Sequence, residues 1–193
     1  MDIILSIINF NNLDFKGWVE LVKLIIIMPT FLYWSLYDLL TKTVKVRWQR
    51  TLIGVGIIYN FIYLFIDKEQ INNNITGFIV CYLITYIYSL IKKVFRLGEF
   101  GKGDVMYCAI IGLLFGTAVG VLTIILSFIL FDGILELVKK IVRNLGPVAV
   151  AFFPFITAAL LIILFLIGET RVEDWYNGIL TFFNIKSGYI KLF

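Results

Sequence analysis

Two aspartates stand out among the 193 residues, because each lies where an apolar run meets a basic one. Asp38 sits near the end of one apolar stretch, in YWSLYDLLTKTVKVRWQR, and Asp104 opens another, in GEFGKGDVMYCAIIGLLFG. Ionisable groups at membrane depth are costly, so they read as functional until another role is found. Two carboxylates that face one another do not both ionise easily and come to share one proton. The ionised member can then take a proton from water while the protonated one polarises a scissile carbonyl. That chemistry needs neither a nucleophilic serine nor a metal. The chain has no histidine, which excludes a Ser-His-Asp triad, a Cys-His pair and a His-ligated zinc. Gly101 and Gly103 flank Lys102 just ahead of Asp104, where they let the backbone turn tightly and let a substrate strand approach. A plainer reading stands beside this one. An Asp at a span end is also satisfied by solvation at the headgroup level, and a lone Gly-x-Gly-Asp arises by chance.

The elements that must position these residues are membrane helices. Hydrophobic residues make up 61% of the chain and aromatics 17%, well beyond soluble usage. Six apolar segments lie near 18–40, 51–66, 75–91, 104–116, 118–131 and 147–167, which predicts an all-α polytopic bundle with about six transmembrane helices. The fourth and fifth join at Gly116-Thr117-Ala118-Val119-Gly120, whose glycines fit a tight hairpin turn. Residues 1–17 read as an interfacial segment, 18–167 as the membrane domain and 168–193 as an extracytoplasmic tail. The stretch 132–146 has the spacing of an amphipathic helix on the cytoplasmic surface.

The net charge of +4 reflects topology rather than nucleic-acid binding, since the basic residues cluster in short loops. Lys42, Lys45, Arg47, Arg50, Lys92, Lys93, Arg96, Lys102, Lys139, Lys140 and Arg143 all fall on one side if the first connection is cytoplasmic. Lys16, Lys68, Arg171, Lys186 and Lys191 fall on the other, which puts the N-terminus outside and Asp38 and Asp104 at the same depth near the cytoplasmic face. Lys23 falls inside the first span, near its outer end, where a snorkelling lysine is expected. Asp67, Asp132 and Asp174 read as ordinary loop carboxylates, and Cys81 and Cys108 as small buried hydrophobes.

At these residues the chain resembles the prepilin peptidase family of Gly-x-Gly-Asp membrane aspartic proteases, above all the short archaeal preflagellin and prepilin peptidases with six spans. The likeness covers roughly 25–165. It rests on Asp38 ahead of a polar basic loop, on the Gly98–Gly116 segment with Asp104, and on VAFFPFITAALLIIL at 150–164, where Pro154 and Phe155 match. The chain departs from many relatives in having Met106 where they carry Lys, and in lacking a proline soon after Asp38. It also lacks the cysteine-rich insertion of bifunctional bacterial members, for which the 41–50 loop is too short.

The resemblance implies a membrane-embedded aspartic endopeptidase without cofactor or metal, with catalytic Asp38 and Asp104 and with Gly101, Gly103 and Pro154 shaping the site. Its partners would be pilin-like or archaellin precursors, cut at the cytoplasmic face of the cell membrane. Glu99, Asp132 and Glu136 are the acidic groups available to a basic leader, though all three read equally as solvated carboxylates. Two other readings compete. One is a presenilin-like intramembrane protease, suggested by Tyr37-Asp38 with Gly-x-Gly-Asp. The other is a carrier or assembly subunit whose aspartates bind cations.

Overall fold

The computed structural model describes residues 15–41, 46–94, 101–141 and 152–167, and all of the secondary structure in these is helical. Helix α1 runs Phe15–Thr41, α2 Val46–Ile66, α3 Lys68–Val94, α4 Lys102–Ile141 and α5 Phe153–Leu161, the last continuing as a π-helix over Ile162–Ile167. The chain is thus an all-α, multi-pass membrane protein. Four helices have the length and apolarity to cross a bilayer, namely Phe15–Thr41, Arg47–Ile66, Lys68–Val94 and Lys102–Ile134, while Phe153–Phe165 is shorter. Against the expected count of about six, four such helices are found among the described residues. The N-terminal interfacial segment up to residue 14, the 168–193 tail and Glu99 lie outside the described residues, as does Gly146-Pro147. Of the expected surface helix at 132–146, residues 132–141 are helical, as a direct extension of α4.

Helix α4 is not straight. Gly116 takes φ 81° and ψ 179°, a conformation open to glycine and strained for residues with a β-carbon. A β-carbon placed on Gly120 would lie 3.0 Å from Gly112 Cα, although eight residues of straight helix separate Cα atoms by about 12 Å. The helix therefore folds back on itself at Gly116, as the glycine-rich junction predicts. Its arms, 102–115 and 117–141, both reach the start of α5: Tyr107 packs on Phe153 and Phe131 on Phe152. The first arm is apolar all round and buried throughout 107–111, so it forms the centre of the bundle. Helix α3 lies against both arms. Its Gly77 comes so close to Gly112 that a β-carbon there would stand 2.5 Å from the Gly112 carbonyl oxygen. Cys81 packs in the same crossing as a free, buried thiol, and Cys108 is likewise free and buried.

The backbone groups that the fold-back releases are satisfied by neighbouring helices, as apolar surroundings require. Lys23 Nζ donates to the Leu114 carbonyl at 3.1 Å, and Asn60 Nδ2 to the Leu113 carbonyl at 3.3 Å. On the other side of the turn, Thr117 N–H donates to Asn73 Oδ1 at 2.9 Å, and the Thr117 hydroxyl donates to the Asn73 carbonyl at 3.0 Å. Lys23 does not snorkel. It is 2% exposed, pairs with Glu20 at 2.5 Å and lies over the rings of Phe115 and Tyr63, whose hydroxyl also donates to Glu20. Because α1 starts at Phe15, Lys23 lies more than two turns inside the helix, on its buried face. Farther out, Asp67 caps α3 by accepting from the N–H groups of Glu69 and Gln70, and pairs with Lys16 at 2.7 Å.

Candidate active site

The buried face of α1 follows Ile27, Phe31 and Trp34 at helical spacing, and Asp38 is its next member. A carboxylate is thereby carried on an apolar stripe, and Asp38 is only 5% exposed. Asp104 reaches the same place from the opposite direction, in the first turn of α4, where the helix dipole favours an anion. The two carboxylates sit close enough for the charge of Asp38 to act on Asp104. Among the described residues neither has an ion-pair partner. Separated by 66 positions in sequence, they meet at one end of the bundle, as the charge-derived depth predicts.

Each carboxylate is held by a backbone donor. Phe153 N–H donates to Asp38, an arrangement that follows from the start of α5. The first N–H groups of a helix have no partner within it, and Pro154 in the next position has no N–H to compete. Asp104 accepts from Gly101 N–H and returns its own N–H to the Gly101 carbonyl at 3.0 Å. A β-carbon on Gly101 would stand 2.9 Å from Asp104 Oδ2, so glycine there leaves the room that the carboxylate occupies. Gly103 contributes its carbonyl, which accepts from Gln49 Nε2 at 2.7 Å. Below the pair, Phe31, Tyr107 and Phe153 form an aromatic floor, with centroids 5.1 Å apart for Phe31–Tyr107 and 3.5 Å for Tyr107–Phe153. Leu39, Leu40, Gly101 and Lys102, at the same end of the bundle, are exposed.

Asp38, Asp104, Gly101, Gly103 and Pro154 are thus gathered into one site. Asp132 is not part of it and is not a loop residue. It lies in the second arm of α4, where it accepts from Tyr88 at 3.0 Å and pairs with Lys92 at 3.2 Å. Asp174 and the Glu136 side chain lie outside the described residues. Two members of the site are not apparent from residue types, the Phe153 N–H and Gln49. Among the described residues, no three His, Cys, Asp or Glu side chains gather as a metal site.

Fold and site together define an all-α, multi-pass membrane protein with two carboxylates brought near each other at one end, neither paired with a cation among the described residues. The chain belongs to the type IV leader peptidase family, whose model matches residues 25–135 and so spans both Asp38 and Asp104. It is accordingly a peptidase of leader-bearing precursors. No curated protein and no solved structure matches the chain.

Proposed function

We propose that the chain is an aspartic endopeptidase that uses Asp38 and Asp104 to remove the leader from type IV pilin-like or archaellin precursors. The observation that carries this reading is the convergence of the two carboxylates, each on a backbone donor and neither facing a cation among the described residues. In this mechanism a water lies between the pair. The ionised aspartate removes its proton as the oxygen attacks the scissile carbonyl, and the protonated aspartate donates to the developing oxyanion. Collapse of the tetrahedral intermediate breaks the C–N bond: the first aspartate gives its proton to the leaving amine, and the second takes a proton back from a hydroxyl of the intermediate as the new carboxyl forms. Water is consumed, and one carboxyl and one amine are formed.

The site faces the cytoplasm in this reading, with the N-terminus outside. Arg47, Arg50, Lys93 and Lys102 are exposed at the Asp38–Asp104 end, as the positive-inside rule expects of a cytoplasmic face. A basic leader would then stay in the cytoplasm while the following apolar helix inserts beside the enzyme, which puts the scissile bond at the depth of the pair. The test is cleavage of a leader-bearing precursor by Asp38→Asn and Asp104→Asn. Asparagine keeps the size of the side chain but carries no exchangeable carboxyl proton. Each should lose activity about 10³-fold or more while remaining inserted. If either variant keeps most of the wild-type rate, the aspartyl mechanism is wrong and cation binding by these residues becomes the better reading.

A further inference from the structure

Gln49 is a buried polar side chain, 7% exposed, in the first turn of α2. Its acceptor is the carbonyl of the residue immediately before Asp104, 2.7 Å from Nε2. A carbonyl oxygen cannot donate, so the amide must turn its NH₂ toward Gly103. The adjacent residue, Trp48, faces the other half of the site. Its ring stacks on Trp34 with centroids 5.4 Å apart and planes 5° apart, and meets the edge of Tyr37 at 4.6 Å. Trp34 lies one helical turn before Asp38 and Tyr37 is its neighbour. Two consecutive residues of α2 therefore grip the two aspartate-bearing backbones, Trp48 by ring packing on α1 and Gln49 by a hydrogen bond to the turn at 101–104.

This grip acts on an exposed turn. The 101–104 turn is closed on itself by the exchange between Gly101 and Asp104, and Gly101 and Lys102 are exposed. Gln49 ties that turn to another helix. A general acid–base pair works only when its oxygens straddle the reacting atoms within a fraction of an ångström, and a displacement of about 1 Å can cost 100-fold in rate. We infer that Gln49, anchored by Trp48, is a positioning residue that sets the Asp104 carboxylate against Asp38 through its hydrogen bond to the Gly103 carbonyl. The inference rests on the assignment of Asp38 and Asp104 as the catalytic pair. The hydrogen bond of Gln49 goes to a backbone carbonyl and not to a carboxylate, so its effect belongs in turnover rather than in substrate affinity.

The experiment measures precursor cleavage by the full chain in lipid, comparing wild type, Gln49→Met, Gln49→Glu and Asp104→Asn. Methionine keeps the length of the side chain and removes the donor, so kcat should fall roughly 10- to 100-fold with KM little changed. Glutamate is nearly isosteric. Ionised, it has no proton to give; protonated, its O–H can donate to the Gly103 carbonyl. The activity of Gln49→Glu relative to wild type should therefore recover as pH falls, a signature that a merely space-filling role does not produce. Should Gln49→Met fail to insert, the Gln49→Glu profile decides alone. Wild-type kcat in Gln49→Met, or a Gln49→Glu deficit that is the same at every pH, would overturn the positioning role. An inactive Asp104→Asn beside a fully active Gln49→Met removes this inference only, whereas an active Asp104→Asn removes the catalytic pair itself.

Discussion

Helix α1 carries two buried charged residues on one face, Lys23 near its start and Asp38 near its end, about 22 Å apart along the axis. Their surroundings are opposite in kind. Lys23 has a carboxylate, a backbone carbonyl and two aromatic faces around it. Asp38 has one backbone N–H and a second carboxylate. In an apolar interior, stability favours the first arrangement and penalises the second, since like charges brought together repel most strongly where the dielectric is low. Burial of a charge thus does not by itself mark a functional residue. Burial without a compensating partner among the described residues is the stronger sign, and on this helix it sets Lys23, bound into the fold, apart from Asp38, the residue proposed here for proton transfer.

The largest expected effects break that comparison at the aspartate end. If the two carboxylates act as one unit, combining Asp38→Asn with Asp104→Asn should lower cleavage hardly further than either change alone, because residues sharing one catalytic step are strongly non-additive. Thermal unfolding in detergent should be unchanged or slightly raised, as a repulsion is removed. Rate losses that multiply in the double variant would show two independent roles instead.

At the other end the same kind of change should act on stability. Lys23→Met keeps the apolar stem but takes the cation from Glu20, which keeps the Tyr63 hydroxyl, and frees the Leu114 carbonyl. Breaking a buried ion pair from one side costs about 3 kcal/mol, and this pair, with Glu20 partly exposed, should cost somewhat less. Glu20→Gln with Lys23→Met should recover part of that loss, because the stranded charge is then gone. Denaturant midpoints of wild type and the two variants check this. An unchanged midpoint for Lys23→Met would mean that the cluster contributes nothing to holding the fold-back at Gly116.

The sequence discloses these two ends unequally. The convergence of Asp38 and Asp104 is legible because the basic loops set the depth of each helix end, and the fold-back is legible because Gly116 and Gly120 interrupt an apolar run. Lys23 is misread as an interfacial residue because α1 starts at Phe15, within a polar stretch, and so places Lys23 deeper than the apolar segment suggests. Its spacing from Ile27, Phe31, Trp34 and Asp38 is the signal that puts it on the buried face. Gln49 offers a similar signal, standing in line with the buried Leu52, Asn60 and Tyr63 of α2. The Phe153 N–H gives none, since a backbone donor has no residue type. Only the proline beside it hints at a helix start.

A smaller effect tests how closely the site is packed. Gly101→Ala puts a β-carbon against Asp104 Oδ2, the mobile end of a side chain, so the chain should fold normally with its carboxylate displaced. Cleavage should fall about 10-fold with no change in unfolding midpoint. At Gly116, by contrast, φ is positive and a β-carbon would stand 2.6 Å from the Asn73 side chain, which leaves alanine no such escape. The cost there should appear as lost stability of about 1–2 kcal/mol. If both alanine variants lost stability alike, the distinction between a yielding site and a rigid turn would fail.

The smallest effect belongs to the charges outside the spans. The Lys16 ammonium beside Asp67 holds its carboxyl below the ordinary carboxylate range, with help from the Gln70 and Glu69 N–H groups. A carboxyl whose folded pKa is depressed adds stability that is complete above its unfolded value. That contribution is lost as pH falls through the lower, folded one. Stability should therefore decline slightly more in wild type than in Asp67→Asn as pH drops below about 4. Asparagine keeps an oxygen able to cap α3 but has no charge to lose. Both partners are partly exposed, and pairs open to solvent are weak and screened by salt, so the difference should be small and should shrink further at high ionic strength. Unfolding midpoints of the two proteins, followed from neutral pH into acid at low and high salt, measure it. Parallel curves at low salt would show that Asp67 acts through its cap alone, with the ion pair to Lys16 adding nothing.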